Sequence, residues 1–310
     1  MKISIVTTMY RSAPYLKEFY ERARANVTAI TEDYEFVFVN DGSPDDSLEV
    51  AVDIHHSDPR VKVVDFSRNF GHHKAMMTGL AQSSGDLVFL IDCDLEEEPE
   101  LLGIFHERMR GTNADVVYGV QESRKGGVWE RITGRIFYTI FNALSSDPLP
   151  LNVLTVRLMT RRYVDSLLQF REREILIAGL WAITGFDQIA VPIKKGFKGS
   201  TTYTFRKKAA HLVNSITSFS NRPLVYIFYL GFFIMCISAV MAGYLVIRRF
   251  FFSIGVAGWA SVMVSVWFLG GLTIFCLGVI GIYLSKIFVE TKQRPYTLIR
   301  HIYDSESGDR

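Results

Sequence analysis

Two long stretches without a charged residue constrain this chain more than any other feature. Leu224 to Ile247 carries no charge, and neither does Ala257 to Ser285. The charged residues between Pro223 and Ser285 are Arg248 and Arg249, in the connection. A helix rises ~1.5 Å per residue, so either stretch can cross ~30 Å of hydrocarbon. We read them as two transmembrane helices. The competing reading, a buried helical hairpin, would have to hide two helices apolar all round inside a modest domain. These stretches account for a hydrophobic content of 49% in 310 residues. Arg206, Lys207, Lys208 and Arg222 precede the first; Lys286, Lys292, Arg294 and Arg300 follow the second. The positive-inside rule then places both chain ends in the cytoplasm of a multi-pass protein. The opening MKISIVTTMY reads as a strand, its apolar run being too short for a signal peptide.

Charge is distributed unevenly. Residues 1–150 hold 15 Lys/Arg against 24 Asp/Glu, and residues 151–222 hold 12 against 4, so the basic excess adjoins the apolar stretches. It serves either to attract anionic headgroups, at ~1 kcal/mol per residue, or only as a topology signal. The basic residues form no nucleic-acid reading motif. Cys93, Cys236 and Cys276 suggest neither a disulfide nor a zinc site, which fits a reducing compartment.

Residues 1–203 alternate between two periods. Strands are expected at Lys2–Met9, Tyr34–Val39, Val61–Phe66, Leu87–Ile91, Val116–Tyr118, Leu151–Met159 and Asp187–Pro192. Helices are expected at Tyr15–Ile30, after Pro44-Asp45-Asp46, from His72, over Pro99–Met109 and Arg161–Phe170, and through Trp181. That alternation predicts an α/β fold with a parallel, doubly wound sheet. Arg124–Leu144 has apolar residues at helical spacing and a basic start. It suits a helix in the membrane interface or one packed on the core. Lys194–Thr202 is a Gly/Lys/Ser loop, able to close over phosphates or to act as a linker, and Phe205–Phe219 is a second amphipathic helix.

Chemistry concentrates at strand ends. Leu87–Ile91 is a continuous apolar run, as in a strand buried on both faces, and it leads into Asp92-Cys93-Asp94 and Glu96, Glu97 and Glu98. If the extended conformation persists, Asp92 and Asp94 point to one side and Cys93 to the other. Two carboxylates aimed together call for a hard divalent cation, which typically binds one or two carboxylates plus substrate phosphates. A solvated acidic loop is the plainer reading. In a doubly wound sheet Asp41, Arg68 with Asn69, and Asp92 with Asp94 converge on one edge, suited to a nucleotide diphosphate. By itself Asp41-Gly42-Ser43 would be an ordinary turn and helix cap. His72 and His73 read as surface residues at a helix start.

Taken together, these residues resemble family 2 glycosyltransferases of the GT-A fold, and more narrowly the membrane-anchored polyprenyl-phosphate glycosyltransferases. The resemblance rests on Asn40-Asp41-Gly42-Ser43, Ser67-Arg68-Asn69-Phe70-Gly71, Asp92-Cys93-Asp94-Leu95-Glu96, Tyr118-Gly119 with Arg124 and Arg131, and Phe219-Ser220 with Pro223-Leu224. It implies a GT-A Rossmann-like sheet followed by amphipathic interface helices and two transmembrane helices. The implied domains are a cytoplasmic catalytic domain (1–203), a juxtamembrane amphipathic helix (204–222), a transmembrane hairpin (223–289) and a cytoplasmic tail (290–310). It implies inverting transfer of a sugar from a nucleotide-sugar, a UDP-sugar foremost, to undecaprenyl or another polyprenyl phosphate at a bacterial-type plasma membrane. The implied donor site is Asp41, Ser43, Arg68, Asn69, Lys74 and Asp92. The implied metal site, for Mg²⁺ or Mn²⁺, is Asp92, Asp94 and Glu96. Arg124 and Arg131 would grip the acceptor phosphate, and copies of the chain would associate.

The chain departs from the family pattern in two places. Thr155-Val156-Arg157-Leu158 stands where the family commonly has Asp-Phe-Arg-Leu, and lysines in Lys194–Tyr203 stand where it has an Arg. A phosphate nucleophile is already anionic near neutral pH, its second pKa being ~6, so a missing carboxylate at Thr155 is tolerable. Transfer to a sugar hydroxyl of a lipid-linked oligosaccharide would need a base, from Glu172, Glu174 or Asp187. An inactive nucleotide-sugar-binding anchor is the reading from another class.

Overall fold

The strands that carry no polar face form the centre of the molecule. The computed structural model describes residues 1–121, 152–172, 177–193, 217, 222–252 and 258–305. Every residue of Ile3–Met9 (β1) and Tyr34–Asn40 (β2) is buried. Val61–Phe66 (β3) and Leu87–Leu90 (β4) are nearly so. A strand covered on both faces needs helices above and below, and the sequence supplies one after each strand. These are Ala13–Thr28 (α1), Ser47–Ser57 (α2), His72–Gln82 (α3) and Leu101–Thr112 (α4). α1 turns Leu16, Phe19, Tyr20, Ala23 and Val27 inward, a spacing that lays one stripe on the sheet. Phe36 and Phe38 of β2 meet Tyr20 and Phe19 there, with ring centroids 5.1 and 6.3 Å apart. Each such side chain contributes about 1.5–3 kcal/mol by leaving water. α3 lies close over β1 and β2 because Gly79 has no Cβ; one added there would stand 2.6 Å from Val6 Cγ1 and 3.0 Å from Val39 Cγ2.

Four further strands complete the sheet: Val116–Gln121 (β5), Val153–Thr160 (β6), Gln188–Ile193 (β7) and Ile299–Tyr303 (β8). Arg161–Leu167 (α5) and Ile177–Ile183 (α6) lie between β6 and β7 in the chain. The order is β7-β5-β6-β4-β1-β2-β3-β8. The expected parallel sheet is confined to β3-β2-β1-β4 and to β5 with β7, because β6 runs against β4 and β5, and β8 against β3. The sheet is therefore mixed. The reason lies in where the chain returns: the Gln121 N–H donates to Asn152 O at 3.1 Å, so β6 starts at the edge where β5 ends. A parallel neighbour would require a crossover to the opposite edge. β8 likewise begins beside the end of β3, where the Ser67 N–H donates to Leu298 O at 3.0 Å. The sequence reading assigned no strand at Ile299–Tyr303.

The chain divides into two compact units, one holding the sheet and residues Arg294–Arg310, the other holding the long apolar helices. These are Arg222–Phe252 (α7, 31 residues) and Trp259–Thr291 (α8, 33 residues). Among the described residues one segment, Ser265–Thr291, has the length and apolarity to cross a membrane; none of its most apolar window is buried. Arg222–Ser238 is a shorter apolar run. Trp267, Phe268 and Ile274 are 77, 64 and 72% exposed, more apolar surface than water tolerates without a cover.

Candidate active site

β1, β2, β3 and β4 point the same way, so Met9, Asn40, Phe66 and Leu90 end on one edge. The polar residues that follow them form the candidate site, as the Asp41, Arg68–Asn69 and Asp92–Asp94 pattern predicts.

Asp41 is 3% exposed. Its carboxylate accepts the Phe70 N–H at 2.7 Å and the Gly71 N–H at 3.0 Å. Burial pushes this carboxyl above the ordinary aspartate value, against the pull of those two N–H groups and of His72 and Arg68. Gly42 has φ +60°, and a Cβ there would lie 2.4 Å from Asn69 N and 2.5 Å from Arg68 C. The Asp-Gly pair thus clamps the Arg68–Gly71 turn by a bond and by close backbone approach. Ser43 Oγ accepts the Arg11 N–H at 2.7 Å and donates to Asp45, while the Ser43 N–H donates to Asn40 Oδ1 at 3.1 Å. Arg68 and Asn69 are exposed; the Arg68 guanidinium lies 4.0 Å from the Phe70 ring centroid and donates to Asn69 O at 3.0 Å. Lys74 lines, with Phe70–His73, an open cavity of about 230 Å³ at the start of α3.

After β4 the extended chain does not persist. It turns at Cys93–Asp94, and Leu95 adopts φ +61°. Burial still alternates: Cys93 is 1% exposed, Asp92 and Asp94 are half-buried. Cys93 Sγ donates to Thr8 O at 3.2 Å, and burial pushes its thiol up to about 11, so it remains a neutral packing group. Asp94 Oδ1 accepts the Glu96 N–H at 3.0 Å. Buried Glu97 accepts the Val156 N–H at 3.1 Å and pins the acidic turn to β6 beside Thr155. The ladder pairs Leu90 with Arg157, and Thr155 lies two residues before Arg157 on β6. Arg157 is 1% exposed, with its guanidinium 2.9 Å from the Trp181 ring centroid, and burial lowers its pKa to about 9.

His72 opens α3 with an exposed side chain, as expected, and the fold adds two contacts that the sequence does not announce. Its Nδ1 lies 2.9 Å from Thr8 Oγ1, and its Nε2 lies 3.4 Å from Asp92 Oδ1. With the proton on Nε2, the ring accepts the Thr8 hydroxyl at Nδ1. A histidine opening α3 faces the strand-end edge, and that placement depends on α3 packing across β1, which periodicity does not reveal.

The acceptor side is only partly described. Arg124 and Arg131, the amphipathic segments Arg124–Leu144 and, but for Thr217, Phe205–Phe219, the Lys194–Tyr203 loop and Glu174 lie outside the described residues. Asp187 lies at the amino end of β7, parallel to β5, and so on the edge opposite the candidate site.

Among the described residues no group of three or more His, Cys, Asp or Glu side chains is gathered to hold a metal, so Asp92, Asp94 and Glu96 do not form a three-ligand cage. Two half-buried carboxylates do fit a hard cation whose other ligands are diphosphate oxygens and water.

The pattern described as Glycosyl transferase family 2 matches residues 4–168. A Mycobacterium tuberculosis protein named among glycosyltransferases is 60% identical over 306 residues, 99% of this chain and 90% of that one. A bactoprenol glucosyl transferase of Shigella phage SfV is 32% identical over 304 residues, 97% of this chain and 99% of that one. A mannosyltransferase from Pyrobaculum calidifontis, solved with GDP-Man and Mn²⁺, aligns at a TM-score of 0.49 and 16% identity, over 69% of this chain and 62% of that one.

Proposed function

The chain belongs to glycosyl transferase family 2, and from that premise we propose that it transfers a sugar, with inversion, from a nucleotide diphosphate sugar to a polyprenyl phosphate at a membrane. That it is a glycosyltransferase with a GT-A-like mixed α/β sheet follows from the family. One observation carries the acceptor: the likeness to bactoprenol glucosyl transferase runs through 97% of the chain, apolar helices included. In this reading α7 and α8 form a two-span hairpin with both ends in the cytoplasm, and copies of the chain associate.

The donor is a UDP-sugar. It lies along the carboxyl edge, against the turns that Asp41 and Gly42 hold together, with Ser43, Arg68, Asn69 and Lys74 on its rim. Asp92 and Asp94 would hold Mg²⁺ or Mn²⁺, and bound metal supplies positive charge to the departing diphosphate. Arg124 and Arg131 grip the acceptor phosphate by charge-assisted hydrogen bonds. That phosphate arrives ionised, so the hydroxyl of Thr155 suffices where a sugar-hydroxyl acceptor would demand a carboxylate base.

The test is incubation of the purified protein in lipid nanodiscs with labelled UDP-sugars, undecaprenyl phosphate and Mn²⁺ or Mg²⁺. Label on the lipid phosphate supports the reading. Label only on an added lipid-linked oligosaccharide would shift the acceptor to a sugar hydroxyl. No turnover with any donor would leave an inert anchor.

A further inference from the structure

We propose that Arg300, on the C-terminal strand β8, is a positioning residue for both turns on the nucleotide side of the site; its meaning for the reaction rests on the reading above. One guanidinium reaches those turns by two routes. Arg300 Nη2 donates to Ser67 O at 2.8 Å, and the Ser67 N–H donates to Leu298 O at 3.0 Å. That fixes the residue from which Arg68-Asn69-Phe70-Gly71 departs. Arg300 Nη1 lies 3.3 Å from Asp65 Oδ2, a side chain 3% exposed. The other Asp65 oxygen accepts Asn40 Nδ2 at 2.8 Å, and Asn40 Oδ1 accepts the Ser43 N–H at 3.1 Å.

The second route runs through the Asn40 amide. The Asn40 amide turns its NH₂ end to Asp65 and its carbonyl end to Ser43, so it links the carboxylate to that turn. Asp65 is buried, and Arg300 is its ion-pair partner at 3.3 Å. The two routes then meet, since Gly42 leaves room for nothing larger against the backbone of Arg68 and Asn69. Arg300 itself is 60% exposed in its side chain, so its bonds rather than its burial give it this role.

The test uses the full-length protein in nanodiscs and amide hydrogen exchange. Arg300→Met should speed exchange at Ser43, Phe70 and Gly71 about tenfold, the loss of roughly one hydrogen bond's protection, while the α1 amides keep theirs. Lys62→Met is the control. It removes the 3.2 Å Lys62–Asp304 ion pair next to the same strand and should leave both turns protected. Arg300→Lys keeps the charge without the fork, so it should loosen one turn and not both. This milder variant decides the matter if Arg300→Met does not fold. In turnover, Arg300→Met should raise the donor KM about tenfold with kcat within about twofold, the signature of lost ground-state binding. Wild-type protection at both turns in Arg300→Met, or in Arg300→Lys where Arg300→Met does not fold, overturns the proposal, as does equal loosening by Lys62→Met. If the wild type turns over no donor, the proposed function fails, whereas the exchange data still decide the role of Arg300.

Discussion

The two edges of the same four strands treat their carboxylates in opposite ways. At the amino edge, Glu35 has a side chain only 11% exposed and sits 2.8 Å from Lys2 Nζ. It also accepts Ser4 Oγ at 2.6 Å and the Ser84 N–H at 2.6 Å. Burial opposes its ionisation, but Lys2, Ser4 and Ser84 outweigh burial and hold it down at about 2. At the carboxyl edge, Asp41 is also buried, has no ion pair among the described residues, and is pushed up rather than down. Asp92 and Asp94 stay half-exposed, with the His72 ring at 3.4 Å from Asp92. An edge whose charges are neutralised from within closes the fold. At the carboxyl edge the half-buried Asp92 and Asp94 keep contact with solvent.

The contrast breaks most visibly at Asp94. Asp94→Ala should lower transfer about a thousandfold, a loss of ~4 kcal/mol in transition-state stabilisation, because charge on the leaving group is then uncompensated. Its melting temperature should stay within about 2 °C of wild type, and a fall of more than that would make Asp94 structural instead. Glu35 is the mirror case. Its folded pKa lies below its unfolded value, so its contribution is fully present above about pH 4.5 and is lost as pH falls through about 2. The contribution at neutral pH is on the order of 3 kcal/mol by linkage. Glu35→Gln should therefore flatten the acid limb of the stability curve between those values, with kcat unchanged at pH 7. Urea titrations at several pH values read this directly.

Gly42→Ala sharpens the comparison from the backbone side. The new Cβ would meet Asn69 N at 2.4 Å with φ at +60°, so we expect about 2–3 kcal/mol of destabilisation and a displaced Arg68–Gly71 turn. Denaturant midpoints give the first and donor KM the second. Asp41→Asn should cost less stability than Gly42→Ala, about 1 kcal/mol. It relieves the burial of a charge but turns an amide NH₂ toward one of two backbone donors. Because burial raises the Asp41 pKa, wild type is relieved of this cost as pH falls through the folded value. The stability gap between wild type and Asp41→Asn should change with pH in that range and stay flat above it.

Much of this architecture was legible before any coordinates. The apolar runs at Ile3–Met9, Tyr34–Asn40, Val61–Phe66 and Leu87–Leu90 contain too few polar positions to be anything but covered strands. The expected boundaries lie within a residue or two of the observed ones. β8 was not legible. Ile299-Arg300-His301-Ile302-Tyr303 mixes charge with apolar residues as an edge strand does, and nothing local distinguishes that from a tail. Strand direction was equally hidden, because it depends on which edge the chain returns to after β5 and after α8. The site divides the same way. Asp41, Asp92 and Asp94 announced themselves by following apolar runs, whereas His72 and Arg300 gained their importance only by what folding set against them.

By itself, the sequence determined which segments must leave water and which polar residues must sit where those segments stop. Both follow from the cost of burying unpaired polar groups, which every residue meets locally. Only the tertiary structure decided which strand ends become neighbours and how deeply each of their carboxylates is buried. Those outcomes depend on contacts between residues far apart in the chain, such as Asp65 with Arg300 and Thr8 with His72, and no local pattern encodes them.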